Sequence, residues 1–393
     1  MFVIRQIRTD DVPAVLKLAR LVHSFNLPAD RDSIATKIAR SRRSFADRLE
    51  DPRERMYMFV LEDLETGNII GTSMIIGCVS WPGNPHVYLE VSKQSFWSED
   101  LQQGQTHKVL RLGTDETGPS ELGGLVLAPG YRGHKDRLGG FLSNVRFHFM
   151  GLHRKSFDKR VIAEVMGSLT PDSRNVLWDY LGGRFINLSY LEADVFCQHS
   201  KEFITSLFPT DPIYASLLPP EARNLIGRVG DEARPALAML ERQGFKDHGH
   251  IDPFDGGPYL EARLDRIPLV RETSRVRVVG TGRVPASRVG IVSVEGDGLP
   301  DGPGAFRAVR TTFAEDEGGI RIPRKMLAAL GIEVGDKVGL TPTESTRRAP
   351  AKTTKTTKTA KTTKTTKTAK TAKTTKTAKT TKKSKSGSKG KSS

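Results

Sequence analysis

The sequence predicts an α+β fold: a mixed sheet flanked by helices, then a small β-rich module and a disordered tail. As far as about residue 265, short apolar runs alternate with segments whose apolar residues recur at helical spacing. Beyond residue 266, strand-like runs are separated by turns rich in Gly, Pro and Ser. Near its end the chain becomes a Lys, Thr and Ala repeat without large apolar side chains to offset the entropy of ordering. We therefore expect regions at 1–265, 266–345 and 346–393.

The first elements predicted are a strand, two helices and a hairpin. Residues 2–5 form a short apolar run rich in β-branched side chains. Apolar residues at helical spacing predict helices over 12–22 and 31–49. Two further apolar runs, 58–61 and 69–76, are separated by a polar turn with Gly, which predicts a β-hairpin.

A strand, a glycine turn and a helix follow one another in the middle of the chain. Residues 122–127 form an apolar run interrupted by Gly123 and Gly124, and a second glycine pair at 139–140 opens a helix. Such a helix N-terminus offers unpaired backbone N–H groups to a pyrophosphate. The glycines in the strand also permit a splay or a bulge, which would free N–H groups for a thioester carbonyl and its oxyanion. The alternative interpretation is that the glycines only permit tight packing.

Charge is concentrated at the end of the chain. The net charge is +16, and the 15 lysines of residues 351–393 account for all but one unit of it, which excludes a basic globular domain. Two cysteines cannot build a disulfide framework, and no metal-ligand spacing is present, so we expect no metal and a reduced, cytoplasmic compartment. The sequence has neither a signal-peptide pattern nor an apolar run of about 18 residues, so we expect no membrane association.

Strings along the chain resemble the arginine N-succinyltransferase family, whose fold is like that of the Gcn5-related N-acyltransferases. They lie, in order, at 59–63, 65–67, 120–122, 146–150, 163–165, 212–214, 240–245, 251–258 and 335–338. The resemblance covers residues 1–343 and leaves out the lysine-rich tail. It implies an acyltransferase of arginine catabolism that moves a succinyl group from succinyl-CoA, its co-substrate, to the α-amino group of arginine or a related basic amine.

The resemblance also implies particular site residues. Leu125 occupies the family's succinyl-CoA contact, on the strand with the two glycines. Further donor-binding residues are expected along that strand and the following turn: Val126, Arg132, Gly133, Arg137, Gly139 and Gly140. The chain departs from the family at Gly230, where the family has its proposed proton-donating histidine, and at Arg137, where a glycine is expected in a shorter turn. Either another residue relays the proton, or the substrate or activity has drifted.

Glycine has no side chain to transfer a proton, so other residues are candidate relays. His248 and His250 are two candidates and Tyr131 is the third; the alternative interpretations are solvent-facing histidines and a packing tyrosine. Asp252 and Asp255 are expected to bind the cationic substrate, although Asp before Gly-Gly is also a turn signal. Arg132 is suited to a CoA phosphate or the succinyl carboxylate, and otherwise is a solvated turn residue.

Two functions remain open at this point. The first is direct attack of the amine on the thioester, with the oxyanion held by backbone N–H groups. The second is a catalytically drifted acyl-CoA-binding protein that associates with nucleic acid through its lysine-rich tail, since evenly spaced lysines neutralise phosphates without reading bases. A solubilising role is a further interpretation of the tail, and assembly into an oligomer is compatible with the sequence.

Overall fold

The computed structural model describes residues 1–21, 27–170, 172, 174–197, 200–282 and 288–345. The lysine-rich tail that the sequence predicts to be disordered, 346–393, lies outside the described residues. Among the residues described, no helix is long and apolar enough to cross a membrane.

The strands of the described residues are, in chain order, β1 (Phe2–Gln6), β2 (Met56–Asp63), β3 (Asn68–Ile76), β4 (His86–Ser98), β5 (Gln103–Asp115), β6 (Ser120–Leu127), β7 (Arg160–Glu164), β8 (Ile213–Tyr214), β9 (Lys246–Ile251), β10 (Pro258–Arg263), β11 (Ser274–Thr281), β12 (Arg288–Gly296), β13 (Ala305–Asp316), β14 (Gly319–Ile322) and β15 (Lys337–Ser345). The α-helices are α1 (Val12–Ala19), α2 (Arg31–Phe45), α3 (Leu138–Leu152), α4 (Val176–Tyr180), α5 (Gly182–Phe185), α6 (Tyr190–Cys197), α7 (Glu202–Leu207), α8 (Pro220–Arg223), α9 (Arg234–Arg242), α10 (Pro268–Glu272) and α11 (Arg324–Leu330).

The elements predicted at the start of the chain are present as β1, α1, α2 and the β2–β3 hairpin. Asp30 caps α2, because its carboxylate accepts a hydrogen bond from the amide of Ser33 at 2.7 Å. The helix ends at Phe45, before the predicted residue 49. The reason is local: Asp47 adopts a left-handed conformation, with φ of 53°, which a continuing α-helix does not accommodate.

One sheet joins the described strands in the order β12, β15, β11, β14, β13, β1, β2, β3, β6, β7, β10, β9, β4, β5, β8. Near its middle, β6 is antiparallel to β3 on one side. On the other side it is parallel to β7, but the pairing holds only for Ser120 with Val161 and Glu121 with Ile162. Beyond these two pairs the strands separate, so this edge of β6 has no strand partner within the described part of the chain.

The last five strands close into a ring. β12 pairs with β15, which pairs with β11; β14 and β13 follow, and β13 pairs again with β12. The β-rich module that the sequence predicts is thus a small barrel, filled by side chains such as Phe313 and Ile322. Because β13 also pairs with β1, the barrel continues the main sheet. Residues Met1–Thr346 form one compact unit, and the predicted boundary at 265–266 lies inside it.

Helix α3 is held against this barrel by a buried polar cluster. The His148 ring hydrogen-bonds through Nδ1 to Thr341 Oγ1 and through Nε2 to Ser293 Oγ, both at 2.6 Å. Thr341 Oγ1 also lies 2.6 Å from Thr273 Oγ1. Burial lowers the pKa of His148 to about 3, so the ring is neutral. This cluster ties the C-terminal half of α3 to β12 and β15 of the barrel.

Candidate active site

A cavity of about 1250 Å³ lies where β6 and β7 separate. Its walls come from β6, the turn after it, the first turn of α3, the end of β7, and parts of α6 and α9. The loop 252–255, which follows β9, also lines the cavity. The separation of two adjacent strands therefore opens a site in which backbone groups of the sheet are accessible.

Strand β6 carries a bulge, as its glycines permit. Its register with β3 shifts between Thr72 and Met74, opposite Gly124 and Leu125. Gly124 has a φ of 56°, and a Cβ there would lie 2.4 Å from the Met74 Cε. A larger residue would therefore be strained both by its backbone conformation and by this contact.

The direction of the β6 amides follows from one hydrogen bond. The amide of Ala128 donates to the carbonyl of Ile70 at 2.8 Å, on the side of β3. Because N–H directions alternate along an extended strand, the amide of Val126 also points to β3, where it pairs with Thr72. The amide of Leu125 then points to the open side, towards the cavity.

The N-terminus of α3 forms the neighbouring wall. The residue before the helix, Arg137, is left-handed with a φ of 52°, and its side chain does not cap the helix. The first amides of α3 are therefore available to an anion. Arg132 is exposed at the rim, where it pairs with Glu232 at 3.2 Å. All the predicted donor-binding residues line this cavity: Leu125, Val126, Arg132, Gly133, Arg137, Gly139 and Gly140.

The two predicted substrate-binding aspartates line the cavity as well, but they also form the turn. The Asp252 carboxylate accepts hydrogen bonds from the amides of Phe254 and Asp255 at 2.7 and 2.9 Å, and from the Tyr259 hydroxyl at 2.9 Å. The Asp255 carboxylate accepts from the amides of Gly257 and Gly167 at 2.6 and 2.8 Å. The turn interpretation is therefore confirmed, and substrate binding by Asp252 and Asp255 stays a prediction.

Glu164, at the end of β7, completes a carboxylate cluster. One carboxylate oxygen from each of Glu164, Asp252 and Asp255 lies within 4.8 Å of the others. Burial and the two aspartates raise the pKa of Glu164 well above its usual value, and burial raises that of Asp255 to about 7. Unlike the aspartates, the Glu164 carboxylate accepts no hydrogen bond from the residues described. Its proton-accepting oxygens are therefore available to a ligand.

Such a cluster can hold a cation. The aspartate oxygens already accept hydrogen bonds from backbone amides and a tyrosine, so metal coordination would compete with the bonds that shape the turn. Asp194 adds a further carboxyl group to the same wall, and burial raises its pKa to about 6. An ammonium or guanidinium group can instead donate hydrogen bonds to the carboxylate oxygens of Glu164, which accept none from the residues described.

The three predicted proton relays make their described contacts outside the cavity lining. The His250 ring stacks on Tyr88, with ring centroids 4.0 Å apart, and His248 is exposed. The Tyr131 hydroxyl donates to the Asp63 carboxylate at 3.4 Å. None of these three residues is among the described cavity-lining residues. Their role as relays stays a prediction, and the structure offers other groups in the cavity itself.

Sequence reasoning missed several polar residues that line the cavity, among them Glu164, Arg146 and His86. Each is a polar residue in an apolar context, which is the signal that could have identified it. Glu164 interrupts an apolar strand, and Arg146 lies on the face of α3 that also carries Leu142 and Phe149. The His86 ring packs edge-on against Tyr259 at 4.5 Å, and burial lowers the pKa of His86 to about 3.

Gly230, where the resemblance expects a histidine, also lines the cavity. Its amide donates to the carbonyl of Met166 at 3.0 Å. A Cβ at this position would lie 2.6 Å from the carbonyl oxygen of Gly167. The absence of a side chain at 230 therefore permits the close approach of its segment to the end of β7.

Comparisons with known proteins agree on one family. The family model described as arginine N-succinyltransferase beta subunit matches residues 2–269. The arginine N-succinyltransferase of Yersinia pestis (strain Pestoides F) is 34% identical over 349 residues, covering 86% of this chain and 97% of that protein. The one from Enterobacter sp. (strain 638) is 35% identical over 281 residues, covering 71% and 80%. The structure of arginine/ornithine succinyltransferase subunit AI from Pseudomonas aeruginosa matches with a TM-score of 0.74 and 28% identity, covering 88% and 99%.

Proposed function

The chain belongs to the arginine N-succinyltransferase family, and from that premise we propose that its cavity transfers the succinyl group of succinyl-CoA to the α-amino group of arginine. The fold class and the enzyme class predicted from the sequence, an acyltransferase, are confirmed. One observation carries the proposal. A single cavity combines an anion-binding strand, turn and helix with a cluster of carboxylates, so it is complementary to an anionic acyl donor and a cationic amine.

The donor binds along β6 and the start of α3. Its pyrophosphate accepts hydrogen bonds from the first amides of α3, where the helix dipole favours negative charge. The thioester carbonyl then lies against the open edge of β6 and accepts a hydrogen bond from the amide of Leu125. Because that bond strengthens as negative charge develops on the oxygen, it stabilises the tetrahedral transition state more than the bound thioester.

The amine binds on the side of the carboxylate cluster. Arginine carries positive charge on both its guanidinium and its α-ammonium group, and the wall formed by Glu164, Asp194 and the aspartates of loop 252–255 attracts both. Glu164 accepts the ammonium proton, because its pKa is raised towards that of the amine and its oxygens are available. His86 is the weaker base, since burial lowers its pKa to about 3.

The reaction is direct attack within this complex. The α-ammonium first gives one proton to Glu164. The neutral nitrogen then forms a bond to the thioester carbon, the carbon–sulfur bond breaks, and the second nitrogen proton passes to the departing thiolate. Positioning the amine against the thioester lowers the barrier without a covalent acyl-enzyme.

A thiol-release assay tests this function. The full chain with succinyl-CoA and arginine is expected to release CoA and to form an arginine derivative heavier by one succinyl group, with the acyl group on the α-nitrogen. Ornithine, lysine and polyamines serve as comparison amines, and arginine is expected to have the highest kcat/KM. Release of CoA without acylated arginine would contradict the proposal.

A labelling experiment tests the direct attack separately. The chain is mixed with succinyl-CoA labelled in the acyl group, without amine, and denatured in acid. We expect no label to stay on the protein. Label on a cysteine or histidine peptide would instead demonstrate a covalent intermediate.

Two further partners stay predictions. The nucleic-acid interpretation rests on lysines outside the described residues, and nothing in the described part of the chain favours it. The Pseudomonas aeruginosa protein is described as a subunit, so an oligomer is compatible with this family, and its stoichiometry is a matter for solution measurement.

A further inference from the structure

We propose that Arg146 binds the terminal carboxylate of the acyl group and so selects succinyl-CoA over donors with an apolar chain of the same length. The inference rests on the proposed function for the identity of the reaction. It adds the residue that distinguishes a dicarboxylate donor from a monocarboxylate one. The feature that carries it is a buried guanidinium group that lines the cavity and has no carboxylate partner among the residues described.

The position of Arg146 fits the acyl end of the donor. It is on α3, eight residues after Leu138, which corresponds to about 12 Å along the helix axis from the pyrophosphate end. The same helix packs on the sheet next to the bulge, because the Ser73 hydroxyl donates to the carbonyl of Leu142 at 3.0 Å. Arg146 therefore lines the cavity further in than the residues at the helix N-terminus.

The hydrogen bonds of Arg146 leave part of its guanidinium unused. Nε donates to the carbonyl of Ser143 at 3.1 Å, and Nη2 donates to the Ser143 hydroxyl at 2.9 Å. Nη1 has no acceptor within the part of the chain that is described. These two bonds fix the plane of the group, and they leave donors for a carboxylate from the cavity.

Burial makes this arrangement costly without a ligand. Arg146 is 3% exposed, and desolvation lowers its pKa below the usual value for arginine with no carboxylate to oppose the effect. A bound carboxylate would supply the missing countercharge in a bidentate pair. A buried arginine that served only to support the fold would be expected to have such a partner within the protein.

The other cations of the cavity are less suited to this role. Arg132, Arg137 and Arg228 are exposed. Lys201 lies near the amine-binding wall: burial raises the pKa of Asp252, and the charge of Lys201 partly opposes that rise, so Lys201 already interacts with that carboxylate. Among the described cavity-lining residues, Arg146 is the buried arginine.

Butyryl-CoA provides the matched donor for a test. It has the four-carbon chain of succinyl-CoA and the same pantetheine arm, but a methyl group replaces the terminal carboxylate. The full-length wild-type chain and the variants Arg146→Met and Arg146→Lys are compared by kcat/KM for both donors. For Arg146→Met we expect kcat/KM for succinyl-CoA to fall by about 10–150-fold, and kcat/KM for butyryl-CoA to change by less than about threefold. Arg146→Lys keeps the positive charge but loses the planar guanidinium that makes bidentate hydrogen bonds. Its kcat/KM for succinyl-CoA is therefore expected to lie between those of the wild type and Arg146→Met.

Arg132→Met is the matched control, because Arg132 also lines the cavity but lies at the rim near the pyrophosphate end. Arg132→Met is expected to lower kcat/KM for both donors by the same factor. An equal loss for both donors in Arg146→Met would overturn the proposal, because it would indicate a structural role or a contact with pantetheine. If Arg146→Met does not fold, the proposal is tested by the ratio of kcat/KM for the two donors in Arg146→Lys and in the wild-type chain. A wild-type chain that does not distinguish the two donors overturns the proposal without any variant.

Calorimetric binding of each donor in the absence of amine separates this inference from the proposed function. The wild-type chain is expected to bind succinyl-CoA more tightly than butyryl-CoA, and Arg146→Met is expected to remove that difference. If arginine is not the acceptor but the donor preference depends on Arg146, the proposed function fails and the donor site stands. If arginine is succinylated but Arg146→Met leaves the preference unchanged, the proposed function stands and this inference fails.

Discussion

The C-terminal barrel and the gap between β6 and β7 are opposite arrangements of strands within one sheet. In the barrel, each strand has a partner on both sides, and the ring closes where β13 meets β12. At the gap, β6 and β7 keep only two residue pairs and then separate. Closure removes unpaired edges, while separation leaves amides free for a ligand. The comparison assigns stability chiefly to the first region and binding chiefly to the second.

Their buried polar groups differ in the same way. In the barrel, both ring nitrogens of His148 have hydroxyl partners on β12 and β15. In the cavity, Glu164 and Arg146 keep polar atoms without acceptors or donors in the described residues. A satisfied buried group is typical of structure, and an unsatisfied one beside a cavity is typical of function. The predictions below test this distinction, from the largest expected effect to the smallest.

Removing the Glu164 carboxylate is expected to have the largest effect. Glu164→Gln keeps the shape of the side chain but cannot accept the ammonium proton, so kcat should fall by about 10²–10⁴-fold. The measurement is CoA release at saturating succinyl-CoA and arginine. Glu90→Gln is the control, because Glu90 is exposed on β4 and does not line the cavity. A loss of less than about threefold for Glu164→Gln would assign the proton to another acceptor.

In the barrel, a substitution is expected to lower stability while leaving activity almost unchanged. His148→Leu leaves the Ser293 hydroxyl without its partner and should lower the free energy of unfolding by about 1–3 kcal/mol. Denaturant unfolding measures the loss, and kcat at a temperature where the variant is folded should change by less than about twofold. His248→Leu is the stability control, since an exposed substitution should stay within about 0.5 kcal/mol. A large loss of kcat in folded His148→Leu would contradict this prediction, because it would show that the barrel contributes to activity as well as to stability.

Gly230→Ala tests the contact between the cavity wall and the end of β7. The added Cβ would lie 2.6 Å from the carbonyl oxygen of Gly167, so the segments must move apart at a cost of about 1–3 kcal/mol. Thermal unfolding and kcat are expected to decrease together, because the shifted backbone borders the carboxylate cluster. Gly298→Ala is the control, because a Cβ there meets nothing within 4 Å. Unchanged stability in Gly230→Ala would mean that the close approach is not required.

The pH dependence of stability is the smallest effect. Because the fold raises the pKa of Glu164, it favours the protonated form; this stabilisation is present below the unfolded pKa and is lost as the pH rises through the raised value. Glu164→Gln removes the charge, so its Tm should exceed that of the wild type by about 1–3 °C near pH 8 and by less near pH 4. Thermal melts at both pH values check the sign. A Tm advantage that grows at the lower pH would contradict it.

The parts of this site that the sequence predicted are local ones. Gly123 and Gly124 interrupt an apolar strand, a pattern that permits the bulge found in the structure and is also compatible with tight packing alone. The turn chemistry of Asp252 and Asp255 is likewise readable within a few residues. The helix N-terminus also follows from neighbouring residues.

The remainder depends on contacts between distant segments. Glu164 meets Asp252 only because the pairing of β10 with β7 places the loop that precedes β10 beside Glu164, and no local pattern reports that pairing. His248 and His250 are candidate relays because they lie beside Asp252 and Asp255 in the sequence, but nearness in sequence does not tell which face of β9 meets the cavity. Barrel closure depends in the same way on the register of β12 with β13.

The pairing of β1 with β13 has a consequence for biosynthesis. Ile4 lies opposite Ala308, a separation of about three hundred residues. The first strand to leave the ribosome, β1, therefore cannot pair with β13 until nearly all the other strands have been made. Until β13 is made, one edge of β1 has unpaired backbone N–H and C=O groups, which can pair with strands of other nascent chains. Truncation ahead of residue 305 should thus yield insoluble material, even though the acyl-transfer residues would all have been made.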